Sequence, residues 1–314
     1  MTASSTKYII SAMLDKLCNS HLHGKKEVLR LSVIALLAGG HILIEDLPGL
    51  GKTTIALALA GITNLTFGRV QCTSDLLPSD ITGLSIFNRD EGRFTFLSGP
   101  IFNNIILLDE INRAMPRTQS AMLEAMEERR VTVEGTTHLL PDPFMVFATQ
   151  NPSDQSGTFP LPESQLDRFL LCTGIGYPPE HLEKEIIMGG GIREKISSIK
   201  PMATATDILA ARRAVAEEIY LSEKVVAYIY TLIAATRNHL QIQTGLSTRA
   251  AINLAQAAKA AAFLEGRDFV APEDVKGVAV AVCSHRLILR PEYETAHRGE
   301  LLRTIIADIP LPLA

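Results

Sequence analysis

The chain has 314 residues, of which 46% are hydrophobic and 20% charged, and its formal net charge is -4. This length suggests two domains, and the composition indicates a globular protein with a large apolar core. The slightly acidic balance argues against a broadly basic nucleic-acid-binding surface. Four widely spaced cysteines form no C-x-x-C pair, so we expect buried thiols in a reducing compartment.

The N-terminal segment lacks the basic and apolar regions of a signal peptide. No stretch approaches the roughly 18 apolar residues that a membrane span requires. Residues 29–40 come nearest, but they are too few and include Arg30. We therefore expect a cytoplasmic protein without a membrane span.

Alternating strand and helix patterns predict a parallel α/β sheet sandwiched by helices. Apolar spacing indicates helices at 5–20 and 25–37, and a strand from residue 41 leads through a glycine-bearing turn into a helix. Later strands are predicted at 64–72, 101–110, 143–151 and 169–177. Two β-hairpins are predicted between them, at 83–97 and 131–139.

The pattern becomes helical after Pro178 and Pro179. We place a domain boundary there, which gives an α/β domain at 1–178 and a smaller all-α domain at 179–314. Residues 189–191 and 197–198 read as connectors between helices. The helices of the second domain are predicted at 180–189, 205–218, 222–238, 247–264, 272–286 and 298–307.

The turn after the first strand has the composition of a phosphate-binding loop. Gly49 and Gly51 let backbone N–H groups approach an anion, and the following helix directs its positive dipole end there. Lys52 would reach the β- and γ-phosphates, and Thr53 would offer its hydroxyl to Mg²⁺. The match to G-x-x-x-x-G-K-[ST] is incomplete because Asp46 occupies the first glycine position, and an ordinary turn with a surface lysine also fits this segment alone.

Two adjacent acids end the third predicted strand. Strand ends of a parallel sheet open onto the ligand crevice, where Asp109 could hold Mg²⁺. Glu110 could orient and deprotonate an attacking water. Two exposed acids opening a helix would have the same sequence, but the lysine loop upstream favours the catalytic interpretation.

Polar residues at three other places could complete such a site. Asn151 ends the fourth strand and could contact the γ-phosphate or the water, although alone it resembles a turn starter before a proline. Arg168 lies at the end of a predicted helix. It could be a cation that stabilises the helix C-terminus, or an arginine finger that acts on the nucleotide of a neighbouring subunit. Arg249 lies in the first turn of a helix, where a cation opposes the dipole unless an anion binds. His23 and Gly24 could wall an adenine pocket or simply pack.

Together these residues resemble the AAA+ ATPases, and more closely the MoxR family, from about residue 22 onward. The resemblance implies Lys52 and Thr53 as Walker A, Asp109 and Glu110 as Walker B, Asn151 as sensor 1, Arg168 as arginine finger and Arg249 as sensor 2. The segments that carry it are Leu-Pro-Gly-Leu-Gly-Lys-Thr (47–53), Leu-Leu-Pro-Ser-Asp-Ile-Thr-Gly (76–83), Gly-Pro-Ile-Phe (99–102), Leu-Asp-Glu-Ile-Asn-Arg-Ala (108–114), Gln-Ser-Ala-Met-Leu-Glu-Ala-Met-Glu-Glu-Arg (119–129), Ala-Thr-Gln-Asn-Pro (148–152), Leu-Pro-Glu-Ser-Gln-Leu-Asp-Arg-Phe (161–169) and Gly-Leu-Ser-Thr-Arg-Ala (245–250).

The family resemblance implies Mg²⁺-dependent ATP hydrolysis in a ring, expected to be a hexamer, with a helical lid that closes over ATP when Arg249 contacts it. Asp46 in place of glycine is a departure that this family commonly allows. The roles of Arg113 and Arg117 stay open. The nucleotide-binding residues of the loop are then Asp46, Leu47, Pro48, Gly49, Leu50, Gly51, Lys52, Thr53 and Thr54.

The resemblance also implies a chaperone-like role in maturing protein complexes, including metal-cofactor insertion, with partners that bear von Willebrand factor A domains. Two other classes stay open: a nucleic-acid motor or loader of the same fold, and a nucleotide-switched scaffold without turnover. The acidic balance makes nucleic acid an unlikely partner. A GTPase is disfavoured because the sequence has no N-K-x-D segment.

Overall fold

The computed structural model of the protein describes residues 3–22, 24–90, 92–151, 157–189, 196 and 198–312. Within these ranges no helix is long and apolar enough to cross a membrane. All four cysteines are free, as the sequence predicts: Cys72, Cys172 and Cys283 are buried and Cys18 is partly exposed.

Strands and helices alternate through the first half of the chain, and each predicted strand of the sheet forms but is shorter than predicted, most of all the fifth (Leu171–Thr173 within the predicted 169–177). The strands are β1 (Ile42–Glu45), β2 (Phe67–Gln71), β3 (Gly83–Asn88), β4 (Arg93–Ser98), β5 (Ile105–Asp109), β6 (Arg130–Val133), β7 (Thr136–Leu139), β8 (Met145–Gln150), β9 (Leu171–Thr173), β10 (Ile242–Thr244) and β11 (Ile288–Leu289). The helices are α1 (Ala3–Lys16), which continues as a π-helical turn (Leu17–His21), α2 (Lys26–Leu37), α3 (Lys52–Ile62), α4 (Pro78–Thr82), α5 (Pro116–Glu128), α6 (Glu163–Leu166), α7 (Glu180–Gly189), α8 (Ala205–Glu217), α9 (Glu223–Arg237), α10 (Thr248–Leu264), α11 (Pro272–Cys283) and α12 (Arg298–Asp308).

The central sheet is parallel and has the order β2-β5-β8-β1-β9. Strand β5 is buried on both faces of the sheet. Ile105 and Leu107 pack into the core on the side of α2 and α3, and Ile106 and Leu108 pack into the core on the side of α5. The sequence therefore predicts this architecture correctly. Because the strands are parallel, the loops that follow β1, β5 and β8 meet at one edge of the sheet.

The two predicted hairpins both form. Strands β3 and β4 pair antiparallel, as do β6 and β7. The hairpins contact each other where the Phe96 ring stacks on the His138 ring, with centroids 3.9 Å apart. Phe87 and Phe94, at the far end of the first hairpin, are more than half exposed.

The helical part lies close to its predicted bounds. The predicted helix 272–286 is α11 followed by a 3-10 turn (Ser284–Arg286). The all-α prediction missed one feature, because β10 pairs antiparallel with β11 in a small sheet. The boundary after residue 178 stays a prediction, since α1 and α2 from the N-terminal side pack on α8 and α10. The predicted connectors at 189–191 and 197–198 lie mostly outside the described residues.

Two buried histidines, His41 and His285, make hydrogen bonds to backbone groups of other parts of the fold. His41, at the start of β1, accepts a hydrogen bond at Nδ1 from the Val146 N–H at 3.0 Å and lies 3.1 Å through Nε2 from the Met126 carbonyl. Its proton must therefore be on Nε2, and a second proton on Nδ1 would oppose the Val146 donor. His285 contacts the Phe169 carbonyl through Nε2 at 3.1 Å. Burial lowers the pKa of each histidine to about 3.

We expect these histidines to make the fold sensitive to mild acid. Below pH 6.5 each of these histidines is protonated in the unfolded chain, whereas in the folded chain it stays neutral down to about pH 3. The unfolded state therefore binds more protons in this pH range, and the free energy of unfolding falls as the pH falls. Between pH 7.5 and 5 the loss is about 2 kcal/mol per histidine. Denaturant titrations of His285→Gln should show about half of the wild-type pH dependence. The exposed His181→Gln is the control, and an unchanged pH dependence in His285→Gln would contradict the assignment.

Candidate functional site

The loop between β1 and α3 has the backbone of an anion cradle. Gly49 and Gly51 have φ values of 84° and 91°, which side chains with a Cβ rarely adopt. Gly51 directly precedes α3, so the first N–H groups of that helix open onto the same space. The loop predicted from sequence therefore has the backbone geometry that phosphate binding needs.

Lys52, the first residue of α3, crosses the base of this loop. Its Nζ donates to the Asp46 carbonyl and, at 3.2 Å, to the Gln150 carbonyl at the end of β8. Burial lowers the pKa of Lys52, and the negative charges of Asp46 and Asp109 act against that shift. The ammonium thus joins the phosphate loop to the edge of the sheet.

Asp46, the departure from the glycine pattern, does not line the cradle. Its Oδ1 accepts from the Leu47 N–H at 2.8 Å, and its Oδ2 accepts from the N–H groups of Ile175 and Gly176, both at 2.7 Å. Burial alone would raise the pKa of Asp46, but these N–H donors outweigh it and lower the pKa. Asp46 therefore ties the loop to the segment that leaves β9 toward the helical part.

Asp109 lies at the end of β5 with both carboxylate oxygens engaged. Oδ1 accepts from the Thr149 hydroxyl at 2.7 Å, and Oδ2 accepts from Arg69 Nη2 at 2.7 Å. Arg69 comes from β2, the neighbouring strand. Arg69 therefore places a cation on the carboxylate that the sequence predicts to hold Mg²⁺.

Glu110 follows in a left-handed backbone conformation, with φ of 58°. Its N–H donates to the Thr149 hydroxyl at 2.9 Å, which fixes the turn. Its carboxylate accepts from Gln71 Nε2 at 3.1 Å and lies 3.2 Å from Arg113 Nε. Arg113 therefore contacts the second acid, whereas Arg117 is exposed at the start of α5.

These parts surround one cleft of about 450 Å³. It contains most of the sequence-predicted site: the loop, both acids and Asn151. Two residues of β2 that the sequence reasoning missed also line it. The lining residues are Pro48, Gly49, Gly51, Lys52, Thr53, Thr54, Arg69, Gln71, Asp109, Glu110, Thr149 and Asn151.

Arg168 and Arg249 are not among the residues that line this cleft. Both bind Glu127 of α5: Arg168 Nη1 lies 3.2 Å from Oε2, and Arg249 Nη2 lies 3.2 Å from Oε1. Arg168 also donates to the Leu123 carbonyl at 2.7 Å, and Arg249 Nε is 3.5 Å from Asp167. The start of α10 therefore lies beside α5, and the contact of Arg249 with a nucleotide stays a prediction.

Of the predicted adenine wall, His23 lies outside the described residues. Gly24 is described and has φ of 76°, and a Cβ on it would lie 2.9 Å from Pro179 and 2.8 Å from Leu182. The chain before α2 therefore passes closely against the start of α7. Gly24 thus lies beside the segment that joins the α/β part to the helical part, and its contact with adenine stays a prediction.

The residue set fits a magnesium nucleotide. Thr53 and Asp109 place hydroxyl and carboxylate oxygens around one cleft, and such hard donors suit Mg²⁺. Lys52 and the loop N–H groups supply the positive side that phosphates need. Glu110, the second acid of the cleft, is not bonded to Arg69 and is held instead by Gln71 and Arg113.

Comparison with known proteins agrees with this geometry. Residues 41–171 match the ATPase family associated with various cellular activities (AAA), and residues 234–306 match the AAA lid domain. Chaperone MoxR1 of Mycobacterium tuberculosis is 38% identical, over 85% of this chain and 72% of its own. The uncharacterized protein YeaC of Bacillus subtilis is 43% identical, over 94% of this chain and 92% of its own.

A solved structure from Cytophaga hutchinsonii, of a protein provisionally named an ATPase, is 37% identical and superposes with a TM-score of 0.88. The match covers 98% of this chain and 96% of that one. Sheet, cleft and relatives agree, and the chain belongs to the MoxR family of AAA+ ATPases.

Proposed function

We propose that the protein hydrolyses ATP with Mg²⁺ and uses the energy to remodel a partner protein. The observation that carries the proposal is the convergence of Lys52, Asp109, Glu110 and Asn151 on a single cleft beside a glycine cradle. These four residues come from three loops at one edge of the sheet. This convergence is the arrangement that phosphoryl transfer to water requires.

Each side chain has a distinct task in this mechanism. Lys52 and the loop N–H groups hold the β- and γ-phosphates in place. Glu110 accepts a proton from the attacking water, and Asn151 orients that water or the γ-phosphate. Because Gln71 and Arg113 hold the Glu110 carboxylate, it must leave these partners before it can act.

Thr53 and Asp109 would hold the magnesium ion. Mg²⁺ supplies charge neutralisation at the phosphate oxygens when it is bound. Arg69 occupies Oδ2 of Asp109 at 2.7 Å, so either Arg69 moves or Asp109 binds the ion through water, as magnesium sites commonly do.

Two arginines of the predicted site do not line the cleft. Arg168 and Arg249 share Glu127 and lie away from the cleft. We infer that both arginines act on the nucleotide of a neighbouring subunit in a ring, most simply a hexamer. An arginine supplied in this way raises turnover by roughly 10³–10⁵.

The role as a chaperone-like remodeller rests on the relative that is named a chaperone and on the exposed apolar end of the first hairpin. The described residues include no separate substrate-processing domain beside the ATPase and its lid. We propose that the work is done on a partner complex, through proteins with von Willebrand factor A domains and including metal-cofactor insertion.

Glu110→Gln should bind ATP like the wild type but hydrolyse it at least about 10²-fold more slowly, since general-base catalysis contributes factors of this size. Steady-state phosphate release and binding of labelled ATP measure the two properties separately. Asp308→Asn, on α12, is the matched control. Normal turnover in Glu110→Gln would show that Glu110 is not the general base. A wild-type protein that binds ATP but does not hydrolyse it would instead favour a nucleotide-switched scaffold.

Arg168→Ala and Arg249→Ala should each be inactive alone, because every cleft in a uniform ring lacks one arginine. Mixing either variant with Lys52→Ala subunits should restore part of the activity, since some interfaces then pair an intact cleft with an intact arginine. The exposed Arg213→Ala should behave as wild type. Absence of rescue at every mixing ratio for Arg249→Ala, with rescue for Arg168→Ala, would return Arg249 to its own subunit's site.

Glu110→Gln protein loaded with ATP should retain its partner in a pull-down, because the remodelling cycle stops before hydrolysis. Recovery of a protein with a von Willebrand factor A domain in ATP, and its loss in ADP, is the expected result. Equal recovery in both nucleotides would contradict a remodelling cycle. ATPase stimulation by DNA that falls steeply with salt would point instead to a nucleic-acid motor.

A further inference from the structure

Lys25 is a buried cation beside the phosphate loop. It directly precedes α2 and is 7% exposed. Its Nζ donates to the carbonyl oxygen of Leu50, in the middle of the loop. A Cβ built on Gly51 would lie 3.2 Å from the same Nζ. Lys25 is not among the residues that line the cleft, so its contact with the loop is made outside that lining.

This contact fixes the peptide unit between Leu50 and Gly51. In a planar trans peptide the C=O and N–H point in opposite directions. The Leu50 carbonyl faces Lys25, so the Gly51 N–H faces away from it. Gly51 lines the cleft, which makes its N–H one of the donors available to a phosphate.

The glycines of this loop allow the 50–51 peptide to rotate unless another group holds it. Gly49 and Gly51 both have positive φ and lack the Cβ that restricts other residues. A peptide between them can therefore turn over with little steric cost, and a turned peptide would present a carbonyl oxygen to the phosphates. The ammonium of Lys25 opposes that rotation because it would lose its acceptor while buried.

Lys25 is itself held rigidly. Its backbone N–H donates to the Leu22 carbonyl at 3.2 Å, and its carbonyl accepts from the Leu29 N–H at 3.1 Å. Gly24, its neighbour, packs against Pro179 and Leu182 at the start of α7. Burial lowers the pKa of Lys25, and the nearby negative charge of Asp46 opposes that shift.

We propose that Lys25 is a positioning residue for nucleotide binding, which holds the 50–51 peptide with its N–H toward the phosphate chain and adds a second positive charge beside the loop. The inference rests on the proposed function, since it assumes that the loop binds ATP and ADP. It concerns binding of the phosphates, so its effect falls on affinity more than on the rate of the chemical step.

The test compares variants at two adjacent lysines, the buried Lys25 and the exposed Lys26. Lys25→Met removes the charge and the donor at similar length, Lys25→Gln keeps a neutral donor, and Lys25→Arg keeps the charge. Titration calorimetry with Mg-ADP should show a Kd about tenfold or more above wild type for Lys25→Met, a smaller increase for Lys25→Gln, and near-wild-type binding for Lys25→Arg and Lys26→Met. The KM for ATP should rise in parallel, with a smaller change in kcat.

Thermal melting of the ligand-free variants separates positioning from packing. We expect Lys25→Met and Lys26→Met to melt close to wild type, with the difference confined to nucleotide affinity. If Lys25→Met does not fold, Lys25→Gln and Lys25→Arg decide: equal affinities in these two would contradict a role for the charge. Wild-type affinity in Lys25→Met would contradict the inference alone, whereas a wild-type protein that binds no ADP would contradict the proposed function and the inference together.

Discussion

The site depends on keeping the Lys52 ammonium charged in a place where burial works against it. Two backbone carbonyls, one from Asp46 in the loop and one from Gln150 at the end of β8, accept its hydrogen bonds. The negative charge of Asp46, followed by those of Asp109, Glu110 and Glu45, acts against the effect of burial. These partners come from different parts of the chain, so the lysine is in place only when β1 and β8 are paired in register. The contact with Gln150 thus links the position of Lys52 to the pairing of β1 with β8.

Much of the fold and the site could be predicted from sequence because the signals are local. The apolar run from Ile105 to Leu108 identifies a strand buried on both faces, and the acids after it then lie at the ligand-binding edge. The same reasoning brings Asn151 to that edge. Chain-order arguments succeed here because parallel strands separated by helices leave one choice for where their carboxyl ends meet.

Other features depend on spatial neighbours that no local pattern reveals. Arg69 and Gln71 contact the two acids because β2 lies next to β5, although a helix and a hairpin separate these strands along the chain. Arg69 and Gln71 are two residues apart in a predicted strand, and residues i and i+2 lie on the same face. The sequence therefore indicated that these two side chains lie on one face of the sheet. The position of Arg249 could not be predicted, because it depends on how the lid packs. Arg286 fixes that packing through Asp167, at 2.7 Å, and the Phe169 carbonyl, at 2.6 Å.

The arginine cluster beside α5 has an electrostatic asymmetry that favours an external anion. Ion pairs there join three guanidinium groups, from Arg168, Arg249 and Arg286, to two carboxylates, from Glu127 and Asp167, so within these pairs one positive charge is in excess. Arg286 is almost fully buried, whereas the Arg249 side chain is about half exposed, so the excess charge is accessible at Arg249. Ion pairs at an exposed arginine contribute little on their own. In the proposed ring, a phosphate chain presented by a neighbouring subunit would offer bidentate, multiply charged acceptors, whereas Glu127 is shared between two arginines. The shared carboxylate holds both arginines in position without neutralising them, which is the state that the proposed contribution in trans would require.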